Sequence, residues 1–235
     1  MITQGLRRWK KDKDRVTNAI GNNKPGSQEG MHRPRRAMLL AAGLGKRMRP
    51  LTETTPKPLI PVAGRTLIDR AYDKLVPAGV ETIIVNVHYL ADMVDAHVRA
   101  WPAPTNVLVS DERDELLETG GGIVRALPLI GEDPFYLVNS DSTWIEGVTP
   151  NLDHLARTWD PRRMDALLLL SELAGAVGYD GKGDFTMNSA GRLERRGESV
   201  VAPFAYAGAA ILHPRLFDEA PAGAFSLNLL FDVAI

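Results

Sequence analysis

The chain has 235 residues, of which 44% are hydrophobic and 24% charged, and this composition is typical of one globular domain or of a domain with a tail. It contains no cysteine, which excludes a disulfide framework and a thiolate metal site and is compatible with a reducing compartment. No apolar run approaches the length of about 20 residues that a bilayer-spanning helix needs. We therefore expect a cytoplasmic protein without a membrane partner.

The first 36 residues differ in charge from the rest of the chain. They hold ten Lys and Arg residues against three acidic residues, a net charge of +7, so the remainder carries −8. A basic arm of this kind can bind nucleic acid or a membrane surface. The segment is polar, has no periodicity and runs through "GNNKPGSQEG", which favours a disordered leader or a true start at Met31. We therefore predict a disordered basic leader over 1–35, no nucleic-acid partner, and one domain over 36–235.

From residue 36 onward, strand-like and helix-like segments alternate. Buried or β-branched runs predict strands, and apolar residues at helical spacing predict helices. This alternation predicts an α/β fold with a Rossmann-like, doubly wound and mostly parallel sheet, whose ligands lie beyond the carboxyl ends of the strands. In chain order, the predicted elements are a strand (36–43), a helix (66–79), a strand (80–89), a helix (90–101), a strand (105–112), a helix (120–130) and a strand (134–141).

The second half of the chain is less regular. Runs at 164–173 and 204–214 predict two further strands, and the polar, glycine-containing stretch between them predicts hairpins. The last residues, "FSLNLLFDVAI", have apolar residues at helical spacing but no C-capping signal. We therefore expect the domain to be incomplete at its C-terminus.

The loop after the first predicted strand combines small residues with positive charge. Its small residues expose main-chain N–H groups to a phosphate or a base, and its cations suit a polyanionic ligand. "GLGKRMRP" does not match the P-loop pattern, and the third glycine of a dinucleotide-binding fingerprint is missing. The small residues are Ala41, Ala42, Gly43 and Gly45, and the cations are Lys46, Arg47 and Arg49.

The stretch "AAGLGKRMRPLTETTPKPLIPVAGRTLID" (41–69) resembles the signature of the sugar-1-phosphate nucleotidylyltransferases. The resemblance extends over about residues 36–235, because further pieces agree in order and spacing. It is closest to the subfamily of N-acetylmuramate α-1-phosphate uridylyltransferases, a group whose relatives are often described as mannose-1-phosphate guanylyltransferases. The further pieces are "LETGGGI" (117–123), "LVNSD" (137–141), "GKGDF" (181–185), "YAGAAILHP" (206–214) and "FSLNLLFD" (225–232).

The resemblance implies the nucleotide-diphospho-sugar transferase fold and a defined reaction. A sugar 1-phosphate attacks the α-phosphorus of a nucleoside triphosphate and pyrophosphate leaves, so the protein mainly neutralises and positions charge. In this scheme Arg47 holds the leaving phosphates, and Lys57 bridges the α-phosphate and the attacking phosphate. Asp141 binds Mg²⁺. Pro56 and Pro58 fix the backbone around Lys57.

Further residues take binding roles by the same resemblance. His88 is expected to be a structural residue at a strand end, because the attacking phosphate oxygen is already ionised and needs no base. Residues expected to contact the nucleotide are Ala41, Ala42, Gly43, Gly45, Thr119, Gly120, Gly121 and Asn139, and those expected to face the sugar are Asp184 and Gly208.

Two departures from the family pattern affect these expectations. Ser140 stands where the family usually has glycine in an N-G-D motif. A W-x-x-V-G-T-like segment, which carries a second metal-ligand position in the family, does not occur, so we expect impaired metal binding. Three alternatives to uridylyl transfer are guanylyl transfer to mannose 1-phosphate, a non-catalytic nucleotide-sugar-binding protein and an NAD-dependent oxidoreductase, which the failed fingerprint disfavours.

Overall fold

The computed structural model describes residues 2–6, 33–175, 179–189 and 192–235. Helices cover both faces of one large sheet, and a separate two-stranded sheet precedes the first helix. The strands are β1 (Ile2–Leu6), β2 (Arg36–Leu40), β3 (Pro61–Val62), β4 (Arg65–Thr66), β5 (Thr82–Val87), β6 (Asn106–Asp111), β7 (Phe135–Asn139), β8 (Ala166–Glu172), β9 (Phe185–Met187), β10 (Leu193–Arg195) and β11 (Phe204–Leu212). The α-helices are α1 (Leu67–Leu75), α2 (Ala91–Arg99), α3 (Glu118–Ile130), α4 (Asn151–Thr158) and α5 (Asn228–Ala234).

The large sheet has a parallel half and an antiparallel half. Its order is β1-β8-β11-β7-β2-β5-β6, with β9 beside β11 and β10 beside β9. Strands β7, β2, β5 and β6 run parallel, whereas β11, β8 and β1 pair antiparallel. The carboxyl ends of β2, β5 and β7 therefore meet at one edge, where a parallel sheet commonly binds its ligand.

The central strands are apolar on both faces because helices cover both sides of the sheet. Successive residues of β2 alternate between two cores. Leu39 packs into the core beneath α1, α2 and α4, whereas Met38 packs into the core beneath α3 and α5. Both side chains are fully buried.

Helix α1 begins with a side-chain cap. The Thr66 hydroxyl accepts a hydrogen bond from the Asp69 backbone amide at 3.2 Å, which satisfies one of the free N–H groups of the first turn. Among the described residues, no helix combines the length and the apolar character that crossing a membrane requires.

The structure confirms the predicted α/β fold and the strand–helix alternation; most elements are a few residues shorter than predicted, whereas α3 begins two residues earlier. The predicted hairpin region contains the β9–β10 pair, and the C-terminal apolar pattern forms α5. Helix α4 was not predicted. Ile2–Leu6, which we expected to be disordered, pairs with β8 as an edge strand, and residues 7–32 of the predicted leader lie outside the described residues.

Candidate active site

A cleft of about 400 Å³ lies at the carboxyl ends of β2, β5 and β7. It collects the loops after β2 and β7, the start of α3 and one residue from the segment before α5. Eight of the residues with a predicted role lie along it. Its lining consists of Leu40, Ala41, Ala42, Gly43, Lys57, Pro58, Asn86, Leu116, Glu118, Thr119, Asn139, Ser140, Asp141 and Ser226.

The loop after β2 forms one wall of the cleft. Ala41 and Ala42 are buried, while Gly43 is exposed, and a side-chain Cβ at Gly43 would find no atom within 4 Å. The Ala41 backbone amide donates to the Asn86 side-chain oxygen at 2.8 Å. This wall therefore consists of small residues, of which Gly43 is exposed, whereas the Ala41 amide is already bonded to Asn86.

Gly45 shapes the loop outside the cleft lining. Its φ of 60° is in the left-handed region, and a Cβ there would lie 2.8 Å from Thr52 Cγ2. The Thr52 hydroxyl also donates to the Gly45 carbonyl at 2.8 Å. Close packing against Thr52 and the left-handed turn explain the glycine at this position.

Two buried prolines flank the lysine that enters the cleft. Pro56 precedes a short 3-10 turn over Lys57–Leu59, and Pro58 lies within that turn. The backbone of Lys57 is thus held by its neighbours, while its side chain keeps 25% exposure. Its ammonium group donates directly to Asp141 Oδ2. The lysine and the carboxylate predicted to act on the phosphates therefore lie side by side.

Asp141 follows β7, and its neighbour Ser140 anchors it. The Ser140 hydroxyl donates to the Leu40 carbonyl at 2.6 Å, and the Ser140 amide donates to the same oxygen at 3.2 Å. The serine that replaces the family's glycine is buried and ties the end of β7 to the end of β2. It therefore fixes the loop that carries Asp141, whose side chain is 35% exposed.

The start of α3 meets the C-terminal segment. Thr119 lines the cleft, and its hydroxyl accepts from the Leu227 amide at 2.8 Å. Gly120 and Gly121 are buried beside it, and their amides both point to the Phe225 carbonyl, at 2.8 and 3.3 Å. The two glycines predicted to contact the nucleotide are therefore covered by protein.

Three other predicted residues lie outside the cleft lining among the described residues. Arg47 is exposed on a 3-10 turn over Lys46–Met48. The Asp184 carboxylate accepts from the Tyr206 amide at 2.8 Å, where β11 breaks its register. A Cβ at Gly208 would lie 2.2 Å from the Ser142 hydroxyl oxygen and 3.3 Å from Asn139 Nδ2, so this glycine backs the loop that follows β7.

Sequence reasoning assigned no role to a buried pair beneath the cleft. Asn86 donates to Glu112 Oε1 at 2.7 Å, and the Glu112 side chain is fully buried. Burial raises the pKa of the Glu112 carboxyl, although the hydrogen bond from Asn86 opposes the shift. His88 Nδ1 lies 2.6 Å from the Glu112 carbonyl and donates to it, an arrangement that fits the structural role predicted for this histidine. The signal that was available is position, because both residues of the pair come at the ends of strands.

Carboxylates are sparse around the cleft. Asp141 and Glu118 are the acidic side chains in its lining. Within the described ranges, no cluster of three or more His, Cys, Asp or Glu residues could hold a metal ion by itself. A cation in this cleft would therefore need oxygen ligands from a bound phosphate as well as from the protein.

Comparisons with known proteins agree with the fold and the motifs. Residues 36–168 match the nucleotidyl transferase family. The chain is 47% identical over 197 residues to the N-acetylmuramate alpha-1-phosphate uridylyltransferase of Caulobacter vibrioides, which covers 83% of this chain and 81% of that protein. It is 37% identical over 195 residues to the enzyme of the same name from Neisseria meningitidis serogroup B, covering 80% and 79%.

Solved structures show the same architecture at low sequence identity. The inositol-1-phosphate CTP transferase from T. maritima superposes with a TM-score of 0.69 at 18% identity, covering 85% of this chain and 80% of that one. At this identity the likeness concerns the fold alone.

Proposed function

Because the chain belongs to the nucleotidyl transferase family, we propose that it transfers a uridylyl group from UTP to N-acetylmuramate α-1-phosphate and releases pyrophosphate. Nucleotidyl transfer to a sugar 1-phosphate is the reaction of its relatives with long coverage. The choice of UTP and of N-acetylmuramate rests on the names of those two proteins. The nucleotide sugar formed in this way supports a role in cell-wall recycling, and we infer a cytoplasmic location.

The contact between Lys57 and Asp141 at the cleft carries this proposal. Joining a triphosphate to a sugar phosphate brings two polyanions together, so the enzyme must neutralise their charge where they meet. A cation and a metal-binding carboxylate at one point of a small cleft can do this from the two sides of the reacting phosphates.

In the proposed reaction, an oxygen of the sugar 1-phosphate attacks the α-phosphorus of UTP. The P–O bond to the β-phosphate breaks, and pyrophosphate leaves with the electron pair. The attacking oxygen is already ionised, so no general base is needed. Lys57 stabilises the negative charge that builds between the two phosphates. Ala41, Ala42 and Gly43 offer their main chain to the nucleotide, and Asn139 lies near both substrates.

A divalent cation, for which we propose Mg²⁺, fits the donors of this cleft. Mg²⁺ retains several water ligands and is commonly bound by one or two carboxylates together with substrate phosphates. Asp141, with its partly exposed carboxylate, is the proposed protein ligand, and Glu118 is the other carboxylate of the lining. When bound, the cation shields the phosphate charges and orients the triphosphate.

The remaining predicted residues keep proposed roles around the cleft. Arg47 stands on the turn that continues the Gly43 loop, where its guanidinium can meet the terminal phosphates of the nucleotide. We propose that Gly45 shapes that loop, and that Asp184 and Gly208 form the wall on the sugar side. Thr119 is proposed to border the base and ribose, while Gly120 and Gly121 pack behind it against the C-terminal segment.

A substrate matrix tests the proposal. Each of UTP, GTP, CTP and ATP is mixed with N-acetylmuramate, mannose or glucose 1-phosphate and a divalent cation, and pyrophosphate release is measured. We expect the highest rate with UTP and N-acetylmuramate 1-phosphate. A preference for GTP with mannose 1-phosphate would assign the chain to guanylyl transfer. Nucleotide binding without pyrophosphate release from any pair would contradict transfer itself and favour a binding protein.

A further inference from the structure

A chain of buried polar groups runs from β6 to the loop after β2, and its middle member, Asn86, also lines the cleft. Glu112, which follows β6, accepts from the Asn86 side-chain amide at 2.7 Å through Oε1. Asn86, in β5, accepts from the Ala41 backbone amide at 2.8 Å through Oδ1. Asn86 is 2% exposed and Glu112 is not exposed at all.

The Asn86 side chain replaces a backbone acceptor where the pairing between β2 and β5 ends. Leu40 is the last residue of β2 and pairs with Asn86 in register. Ala41 comes one residue later, so its N–H lies beyond the end of the strand pairing and needs an acceptor from elsewhere. The Asn86 side chain supplies that acceptor, and it therefore determines how the main chain leaves β2 and enters the cleft wall.

The Glu112 carboxylate fixes which way the Asn86 carboxamide points. An asparagine side chain can present either its oxygen or its NH₂ group to a neighbour. A flipped Asn86 would set NH₂ against the Ala41 N–H and set its oxygen against the carboxylate. Because an ionised carboxylate only accepts hydrogen bonds, Glu112 selects the orientation that leaves the oxygen for Ala41.

Burial of Glu112 is costly, and the neighbouring sequence preserves space for it. A buried carboxylate destabilises a fold unless its hydrogen bonds compensate. The Leu117 backbone amide faces the carboxylate and favours its ionised form, although no described group completes a hydrogen bond to its Oε2 atom. At Gly122 in α3, a Cβ would lie 2.7 Å from Glu112 Oε1 and 3.0 Å from Asn86 Nδ2. An apolar residue at position 112 would leave the buried Asn86 NH₂ group without its acceptor and would take the carboxylate away from the Leu117 amide.

We propose that Glu112 is a positioning residue for the nucleotide. It orients Asn86 and, through Asn86, holds the main chain at Ala41 that the nucleotide is to contact. This inference rests on the proposed function of the cleft. Glu112 itself does not line the cleft. Its replacement should therefore change the KM for the nucleoside triphosphate rather than the rate of the chemical step.

Exchanging donor and acceptor between the two positions tests the inference. Asn86→Asp places two carboxylates face to face, and we expect the KM for the nucleotide to rise about tenfold. In the double variant Asn86→Asp/Glu112→Gln, the glutamine NH₂ donates to the aspartate, whose other oxygen still accepts from Ala41. We expect the double variant to recover to within about threefold of the original KM. Glu112→Gln alone keeps an acceptor for Asn86, whereas Glu112→Leu removes it and should behave like Asn86→Asp.

A second readout does not depend on turnover. Hydrogen exchange of the Ala41 amide, measured without substrate, should be fast in Asn86→Asp and Glu112→Leu and slow again in the double variant. If the parent chain releases no pyrophosphate from any substrate pair, the proposed function fails, while the Ala41 amide still reports on Glu112. If Glu112→Leu does not fold, the inference is tested by comparing Asn86→Asp with the double variant in both measurements.

A matched control is available at the other end of the sheet. Asp165 is another buried acid, it precedes β8, and it pairs with Arg215 at the edge opposite the cleft, because β8 runs antiparallel to β11 and β11 antiparallel to β7. Asp165→Asn should lower stability without moving the KM for the nucleotide. A double variant that stays as impaired as Asn86→Asp while folded would overturn the inference. So would equal changes in kcat and in both KM values, which indicate general loss of structure.

Discussion

Two glycine-rich stretches border the cleft, and they use glycine for different reasons. At Gly43 a Cβ would meet no atom within 4 Å, so the residue leaves the main chain open to the cleft. At Gly120 a Cβ would lie 2.2 Å from the ring of Phe225, and at Gly121 it would lie 2.3 Å from the Gly223 carbonyl oxygen. The first glycine leaves room for a ligand and the other two leave room for the protein itself.

The hydrogen bonds of α3 follow from the same difference. The amides of Gly120 and Gly121 donate to the Phe225 carbonyl, and the Phe225 amide donates back to the Leu117 carbonyl at 3.2 Å. The segment before α5 therefore caps the start of α3, which has no side-chain cap. Sequence pattern treats "AAGLG" and "ETGGG" alike, but only the first presents open main chain.

The largest effect should come from the charged pair on the open side of the cleft. Lys57→Met and Asp141→Asn should each lower kcat about 10³-fold, because each removes charge compensation at the reacting phosphates. Both side chains are partly exposed, so thermal unfolding should change little. Steady-state pyrophosphate release measures kcat, and circular dichroism during heating measures Tm.

The matched control for Lys57→Met is Arg99→Met. Arg99 closes α2 and pairs with Asp95 on the surface, so its loss removes one positive charge away from the cleft. Its kcat should match that of the parent chain. If kcat falls less than tenfold in Lys57→Met, the prediction is wrong, because the open loop would then border no reaction site.

The next effect separates the two kinds of glycine by stability. Gly120→Ala forces a methyl group into the Phe225 ring, and we expect a loss of about 1–3 kcal/mol in the free energy of unfolding. Gly43→Ala should stay within about 0.5 kcal/mol of the parent, because its methyl group points into open space. Urea unfolding measures both values.

In enzyme kinetics we expect Gly43→Ala to have the larger effect of the two glycine variants. Gly43→Ala places a methyl group where the nucleotide is proposed to approach, so its KM for the nucleotide should rise while its stability is kept. Combining Gly120→Ala with Phe225→Leu should cost less than the sum of the two single changes, because the ring is the atom group that the methyl meets. Strict additivity would show that the strain at Gly120 arises elsewhere.

Short sequence motifs predicted most of the cleft wall that the loop after β2 and the ends of the strands form. The alternation of strands and helices predicts the sheet edge. Ala41, Ala42, Gly43, Lys57 and Asp141 lie along the cleft there, whereas Gly45 and Arg47 lie outside its lining. Ser140 was noted as a departure from the family's glycine, and the structure gives it two hydrogen bonds to Leu40 that anchor the end of β7.

The packed side could not be predicted because its partners are distant in sequence. The Gly120 amide meets the Phe225 carbonyl, and nothing in "ETGGG" indicates that a segment about one hundred residues later covers it. The contact between Asn86 and Glu112 was likewise not predicted, because the sheet register brings the ends of β5 and β6 together. Long-range contacts of this kind need the three-dimensional fold.

A smaller effect should arise at the rim of the cleft. Arg47→Ala should raise the KM for the nucleotide about tenfold and leave kcat within a few-fold, because a rim guanidinium binds the outer phosphates with partial exposure to water. Raising the salt concentration should shrink the difference from the parent chain. Arg49→Ala, one residue beyond the same turn, is the paired control, and an equal rise in its KM would point to general positive charge rather than to Arg47.

The smallest expected effect concerns Gly122, the third glycine of α3, and the acid that it accommodates. Burial raises the pKa of the Glu112 carboxyl in the folded chain, although the charges of Arg125 and His88 oppose the shift. The folded chain therefore holds the proton at a pH where the unfolded chain, with a pKa of about 4.3, has lost it. Stability from this group is complete below the unfolded-state pKa and is lost as the pH rises through the folded-state pKa.

Glu112→Gln removes this titration while keeping the size of the side chain. The difference in unfolding free energy between Glu112→Gln and the parent should shift in favour of the variant between pH 4.5 and pH 8, by less than about 1 kcal/mol. Urea unfolding at each pH measures the shift. Parallel pH curves would mean that Glu112 is ionised as easily in the folded chain as in the unfolded one.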